Sequence, residues 1–317
     1  RFAQVSSILM YPQYWAWRLC GIAATELTSL GCHTDLWEPA SGNFSSLVGQ
    51  LGIEQHFPQV VSACKPLGSV QPAIAELAQL PADCLVYPGV HDSNASFARH
   101  LYAGLNDQFT VISSGTWIVS MSNGGDISRL DEQRDMLANV SVLNQPVVCA
   151  RYMGGREFDV ICHLGDGTVE PVGEADVSAL IDAGVFVLPP FERGSGPFRH
   201  AETAGRLVGG EGSASLATLY TALMIDYELE LLGATGDIIF GGIAKKNPTL
   251  CALLAQLRPS QKLYSCDDVA STIVGAWCLT RWDMPAPAAM RQYVRIGAAD
   301  VPQLMRYREE WRCLAAV

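Results

Sequence analysis

Asp92 is the side chain whose setting most invites chemistry. It follows the apolar run Cys84-Leu-Val-Tyr-Pro and a turn at Gly89, stands beside His91, and opens a segment with helical patterning. A carboxylate in that place can take a proton from a hydroxyl group. An Asp at a helix start is most often a cap, so the residue alone leaves both readings open. A second candidate is Ser113-Ser114-Gly115-Thr116, reached through the apolar run Phe109-Thr-Val-Ile. Glycine lets backbone approach an anion and the hydroxyls add donors, against the competing reading of a plain β-turn. A third is Gly241-Gly242, between the apolar run Asp237-Ile-Ile-Phe and a segment that turns at Asn247-Pro248. Two glycines there admit a ring or phosphate, or merely form a tight strand-to-helix turn. A carboxylate base and backbone cradles for phosphate are the parts that phosphoryl transfer needs. No GxGxxG, Walker A or G-x-S-x-G sequence occurs, so Rossmann, P-loop and serine-hydrolase logic do not apply.

The elements that must hold these residues follow from patterning. Pro12 opens a helix carrying Trp15 and Leu19 that Gly21 stops. Residues 24–39, dense in Thr, Ser, Gly and His, read as loop or irregular strand. Residues 44–51 and 70–80 read as short helices, the second with Pro72 near its start. Residues 84–87 read as a buried strand and 92–103 as a helix with Ala95, Ala98 and Tyr102 mostly on one face. Strands are expected at 109–113, 117–121, 137–142, 146–150, 185–188 and 237–240, and helices at 156–164, 175–183, 249–257 and 269–282. Residues 213–232 are apolar nearly all round, which predicts a helix buried between layers. A homodimer interface is the second reading of that helix. The loop near residues 104–108 is the expected domain boundary, giving domains 1–107 and 108–317.

Composition narrows the function. The chain has 317 residues, enough for two cores, with 49% hydrophobic and 17% charged residues. A net charge of −11 argues against nucleic-acid and anionic-membrane partners, which need a basic face. A small phosphate ligand held by backbone N–H groups remains compatible. Ten cysteines without a CxxC read as free thiols of a reducing cytoplasm. Cys32-His33 and Cys162-His163 are adjacent pairs with no second pair at metal spacing, so no metal site is expected from them.

The order of these stretches resembles the FGGY family of carbohydrate kinases. HDSNAS (91–96), ISSGTW (112–117), GGIAKKNPTL (241–250) and VASTIVGAW (269–277) fall in that family's sequence. WAWRLCG (15–21) followed by TSLGCHTDLW (28–37) is similar to the family's aromatic helix and Thr/Ser-rich segment. The HD pair with SSGTW resembles the rhamnulokinase and fuculokinase branch. The resemblance implies an α/β, two-domain actin-like (ribonuclease H-like) ATPase fold with its first domain incomplete. It implies ATP with Mg2+, and a sugar such as a ketose or 6-deoxyketose. By that resemblance Asp92 is the catalytic base and His91 a sugar contact, while Ser114, Gly115, Thr116, Gly241, Gly242 and Asn247 meet ATP. The family's first phosphate hairpin, Asp-x-Gly-Thr, is not in this sequence. The expectation is therefore a kinase portion with little turnover by itself. A non-catalytic ATP- or sugar-binding protein is the alternative.

Overall fold

The computed structural model describes residues 4–105, 108–169, 171–241, 246–266 and 271–316. They form two compact units. Unit 1 is 1–105 with 138–147 and 270–291; unit 2 is 106–137 with 148–269 and 292–317. A single cut at 107/108 thus misses two later segments that fold with the first hundred residues. The reason is packing. Ala63 and Ala98 share one apolar cluster with Val142 and Leu279.

Unit 1 is mainly helical. Pro12 starts α1 (Tyr11–Cys20), and Gly21, at φ 79°, ends it in the left-handed conformation that glycine tolerates. Residues 24–39 differ from the expected loop, because Leu27–His33 is a helix, α2. Glu26 caps it by accepting from the Thr28 N–H at 3.0 Å, and Leu27 and Leu30 bury against Trp37 and Val140. The Thr28 and Thr34 hydroxyls are satisfied at the two ends of this helix, donating to Glu26 Oε2 and to the Leu30 carbonyl, each at 2.6 Å. α3 (Ser46–Leu51) and α4 (Pro72–Ala78) follow as expected. The segment around Cys84 departs from the buried-strand expectation. Only β4 (Leu85–Val86) forms, pairing with β3 (Gly68–Ser69), and Leu85 is 54% exposed. A second two-residue pair joins β1 (Trp37–Glu38) to β2 (Asn43–Phe44). α5 (Asp92–Tyr102) packs against the late helix Ser271–Leu279. Small residues allow the approach, since a side chain on Gly275 would lie 1.6 Å from the Ala95 carbonyl oxygen.

Unit 2 holds the sheet. Its strands are β5 (Phe109–Ser114), β6 (Ile118–Asn123), β7 (Met136–Val140), β8 (Pro146–Tyr152), β11 (Asp237–Gly241), β12 (Leu263–Cys266) and β13 (Val294–Arg295). Among the described residues they lie in the order β13-β12-β11-β5-β6-β8-β7. β11 runs parallel to both β5 and β12, while β5–β6 is an antiparallel hairpin. The tip of the β7–β8 hairpin belongs to unit 1. β9 (Phe186–Leu188) and β10 (Arg206–Val208) form a separate pair. α6 (Gly154–His163), α7 (Glu174–Asp182) and α8 (Ala214–Leu231) supply helical layers with Pro248–Leu257 and Leu304–Ala315. Every residue of α8 from Leu216 to Leu229 is buried, so its apolar faces are taken up inside unit 2 rather than offered to a second copy. The expected α/β class is the one observed.

Candidate functional site

Two places carry the candidate residues, one in each unit. In unit 1, α5 begins directly after His91. Asp92 is the first helical residue rather than the cap. Its Oδ1 accepts from the Ser93 N–H at 2.6 Å, and its side chain is 77% exposed. A carboxylate at the first turn of an 11-residue helix is stabilised by the N–H groups there and stays open to solvent. His91 is held from behind. Its backbone N–H donates to the Thr28 hydroxyl at 2.9 Å, and that hydroxyl donates to Glu26 Oε2 at 2.6 Å. Burial lowers the His91 pKa, against the opposing pull of Asp92, which keeps the ring neutral near pH 7. Burial also raises the Glu26 pKa from 4.5 to about 7, although Thr28 hydrogen bonds oppose the rise. The end of α2 reaches the same spot: His33 Nε2 lies 2.5 Å and Cys32 Sγ 4.0 Å from His91 Nε2. Chain spacing could not reveal this, because the third ligand-type atom comes from a different helix.

In unit 2 a cleft of about 700 Å³ is lined by Ser114, Gly115 and Thr116, by Gly154 to Arg156 and Asp159 of α6, and by Lys246 and Asn247. That is the size of a small-ligand site. The β5–β6 turn is closed by the Gly115 N–H donating to the Trp117 carbonyl at 2.9 Å. A side chain on Gly115 would meet nothing within 4 Å, so its backbone faces open space. One on Gly155 would lie 2.1 Å from the Gly115 oxygen, so only glycine lets α6 start against this turn. The Gly155 N–H donates to the Thr116 carbonyl at 3.2 Å. α6 is anchored by buried Glu157, which accepts from the N–H groups of Phe191 and Glu192 at 3.0 and 2.9 Å and from the Tyr220 hydroxyl at 2.6 Å. Burial raises the pKa of Glu157, opposed by those same hydrogen bonds.

The nominated residues are placed unevenly. Ser114, Gly115, Thr116 and Asn247 meet at one cleft. Asn247 caps Pro248–Leu257 through Oδ1 on the Leu250 N–H at 3.0 Å and donates from Nδ2 to the Thr218 hydroxyl at 2.8 Å. Gly241 is the buried last residue of β11, opposite Cys266. Gly242 lies outside the described residues. His91 and Asp92 stand in unit 1. The sequence reading missed Gly154, Gly155, Arg156, Asp159 and Lys246 as lining residues. The signal in the sequence is a paired glycine just before a helix, as at Gly241-Gly242.

Comparison with known proteins gives the context. The family described as carbohydrate kinase FGGY, C-terminal domain, matches residues 106–289. The L-xylulose/3-keto-L-gulonate kinase of Escherichia coli (strain K12) is 29% identical over 165 residues, covering 50% of this chain and 30% of that kinase. The L-fuculokinase of Salmonella typhi is 32% identical over 112 residues, covering 35% of this chain and 23% of that kinase. A solved carbohydrate kinase from Novosphingobium aromaticivorans superposes with a TM-score of 0.86 at 34% identity, covering 98% of this chain and 68% of that one. The matched segments thus span less than a third of the two curated relatives. A xylulose kinase from Rhodospirillum rubrum, at 15% identity and a TM-score of 0.75, shares the fold. With more than half its length matched by that family, the chain belongs to the FGGY carbohydrate kinase family.

Proposed function

We propose that the protein to which this chain belongs transfers the γ-phosphate of ATP to a hydroxyl of a sugar. The observation that carries this reading is the cleft formed where Gly155 packs under the Ser114–Thr116 turn, in a chain of this family. The hydroxyls of Ser114 and Thr116 and the open backbone face at Gly115 cradle nucleotide phosphates, and the Lys246 ammonium offsets their charge. Asn247 orients the nucleotide beside its own helix cap. Asp92 takes the proton of the attacking sugar hydroxyl as its oxygen bonds to the γ-phosphorus and the bond to the ADP oxygen breaks. His91, neutral near pH 7, accepts or donates a hydrogen bond to the sugar. Mg2+ arriving on the nucleotide would find a carboxylate in Asp159 on the cleft wall. When bound it neutralises charge on the transferring phosphoryl group.

The sugar is proposed to be a ketose or 6-deoxyketose of the L-rhamnulose or L-fuculose kind. Kinship with an L-fuculokinase and an L-xylulose/3-keto-L-gulonate kinase supports that class. Ten thiols, none in a disulfide, suit a reducing cytoplasm. Among the described residues no helix is long and apolar enough to cross a membrane.

The test is ADP release by the full-length protein across a panel of ketoses, 6-deoxyketoses and polyols, with a thermal-shift screen to rank binding. Asp92→Asn is expected to lower turnover by about 10³-fold or more with nucleotide affinity unchanged. An unchanged rate removes Asp92 as the base. A nucleotide-induced thermal shift without ADP release for any sugar favours a non-catalytic binding protein.

A further inference from the structure

We propose that Cys32, His33 and His91 form a binding site for a soft divalent cation of the zinc class. The three ligand atoms lie within 4.8 Å of one another. Two come from the end of α2 and one from the residue before α5, so the fold, not the local sequence, assembles them. His33 Nε2 and His91 Nε2 face each other at 2.5 Å, with the rings edge to face at 4.3 Å between centroids. Only one proton can stand between two such nitrogens, whereas a cation there uses both lone pairs. Cys32 Sγ adds a thiolate-capable ligand at 4.0 Å from His91 Nε2.

Neighbouring groups favour the charged state such a site needs. Asn139 Nδ2 donates to Cys32 Sγ at 3.5 Å, a contact that stabilises thiolate. Asp92 Oδ1, 3.3 Å from His91 Nε2, lies beside the three-atom cluster but outside it, which leaves the fourth position to water. One sulfur and two imidazoles suit zinc rather than magnesium, which takes oxygen ligands in octahedral geometry. Around a tetrahedral zinc with Zn–N of about 2.0–2.1 Å, the imidazole nitrogens stand roughly 3.3 Å apart. Binding therefore parts the two rings by less than about 1 Å, a movement that the exposed His33 can make. On the kinase reading, the occupied site engages His91 and competes with the sugar.

The experiment titrates Co2+ into the full-length protein without sugar or nucleotide, so its outcome is separate from kinase activity. Expected are one Co2+ per chain, a thiolate-to-cobalt charge-transfer band, intense tetrahedral ligand-field absorption, and displacement by one equivalent of Zn2+. Cys32→Ser should abolish the charge-transfer band. His33→Gln, at an exposed position, should weaken binding by at least ~10-fold with unchanged circular dichroism. His163→Gln, beside the other Cys-His pair, should leave the titration unaltered. No charge-transfer band, or a band that survives Cys32→Ser, overturns the proposal, as does unchanged affinity in His33→Gln.

Discussion

At the scale of single residues, Glu26 is a side chain whose charge state the fold sets. It caps α2 and, through the Thr28 hydroxyl, holds the backbone of His91. Its folded pKa is raised from 4.5 to about 7 by burial. The folded state therefore holds the proton more tightly than the unfolded one. This contribution to stability is fully present below pH 4.5 and lost as pH rises through about 7. Glu26→Gln removes the ionisation. It is expected to match the parent near pH 4 and to exceed it near pH 8 by on the order of 3 kcal/mol. Denaturant melts at the two pH values check this; a pH-independent difference would count against it. Gly155 gives the steric counterpart. Its missing side chain leaves room for the Gly115 carbonyl oxygen, 2.1 Å from where a Cβ would sit. Gly155→Ala should cost about 1–3 kcal/mol in stability and weaken nucleotide binding, read by thermal melts with and without ATP.

At the scale of elements, α8 is tied to its neighbours by charge as well as by apolar packing. Buried Asp226 accepts from Arg258 at 2.7 Å and Arg312 at 2.9 Å, with Arg308 at 3.8 Å. These arginines follow the helix Pro248–Leu257 or lie on Leu304–Ala315, so one carboxylate joins three helices. Asp226→Asn leaves the partly buried Arg258 without its carboxylate, whereas Arg312 keeps Glu230 and Arg308 keeps Glu309, and should destabilise unit 2 by roughly 3 kcal/mol in denaturant melts. The helical periodicity of α8 was plain in the sequence, as was its all-round apolar character. α2 was not, because a short helix rich in Thr, Ser and Gly has the composition of a loop. Only the Glu26 cap and the burial of Leu27 and Leu30 decide it.

At the scale of the molecule, the two units draw on interleaved stretches of chain. Helix α5, which carries Asp92 at its start, is backed by residues that arrive nearly two hundred positions later. Ser96 Oγ lies 3.0 Å from Ser271 Oγ and 2.9 Å from Thr272 Oγ1, and Gly275 packs on the Ala95 carbonyl. A fragment of residues 1–105 lacks Val142 and Leu279 from its apolar cluster. It is expected to show no cooperative thermal transition by near-ultraviolet circular dichroism, whereas a fragment that melts cooperatively would refute the dependence.

The sequence alone determined what depends on neighbours along the chain: apolar periods, proline starts, glycine stops and the hairpin at Ser114–Thr116. It also carried enough ordered resemblance to indicate the kinase family before any coordinate was known. Tertiary structure decided what depends on distant segments. It set Gly155 beneath the Gly115 carbonyl, returned 270–291 to unit 1, reduced the run around Cys84 to a two-residue strand, and gathered Cys32, His33 and His91 at one point. Local propensity is a property of the backbone and its immediate side chains. Convergence of side chains from separate helices is set by packing, which no single stretch of sequence contains.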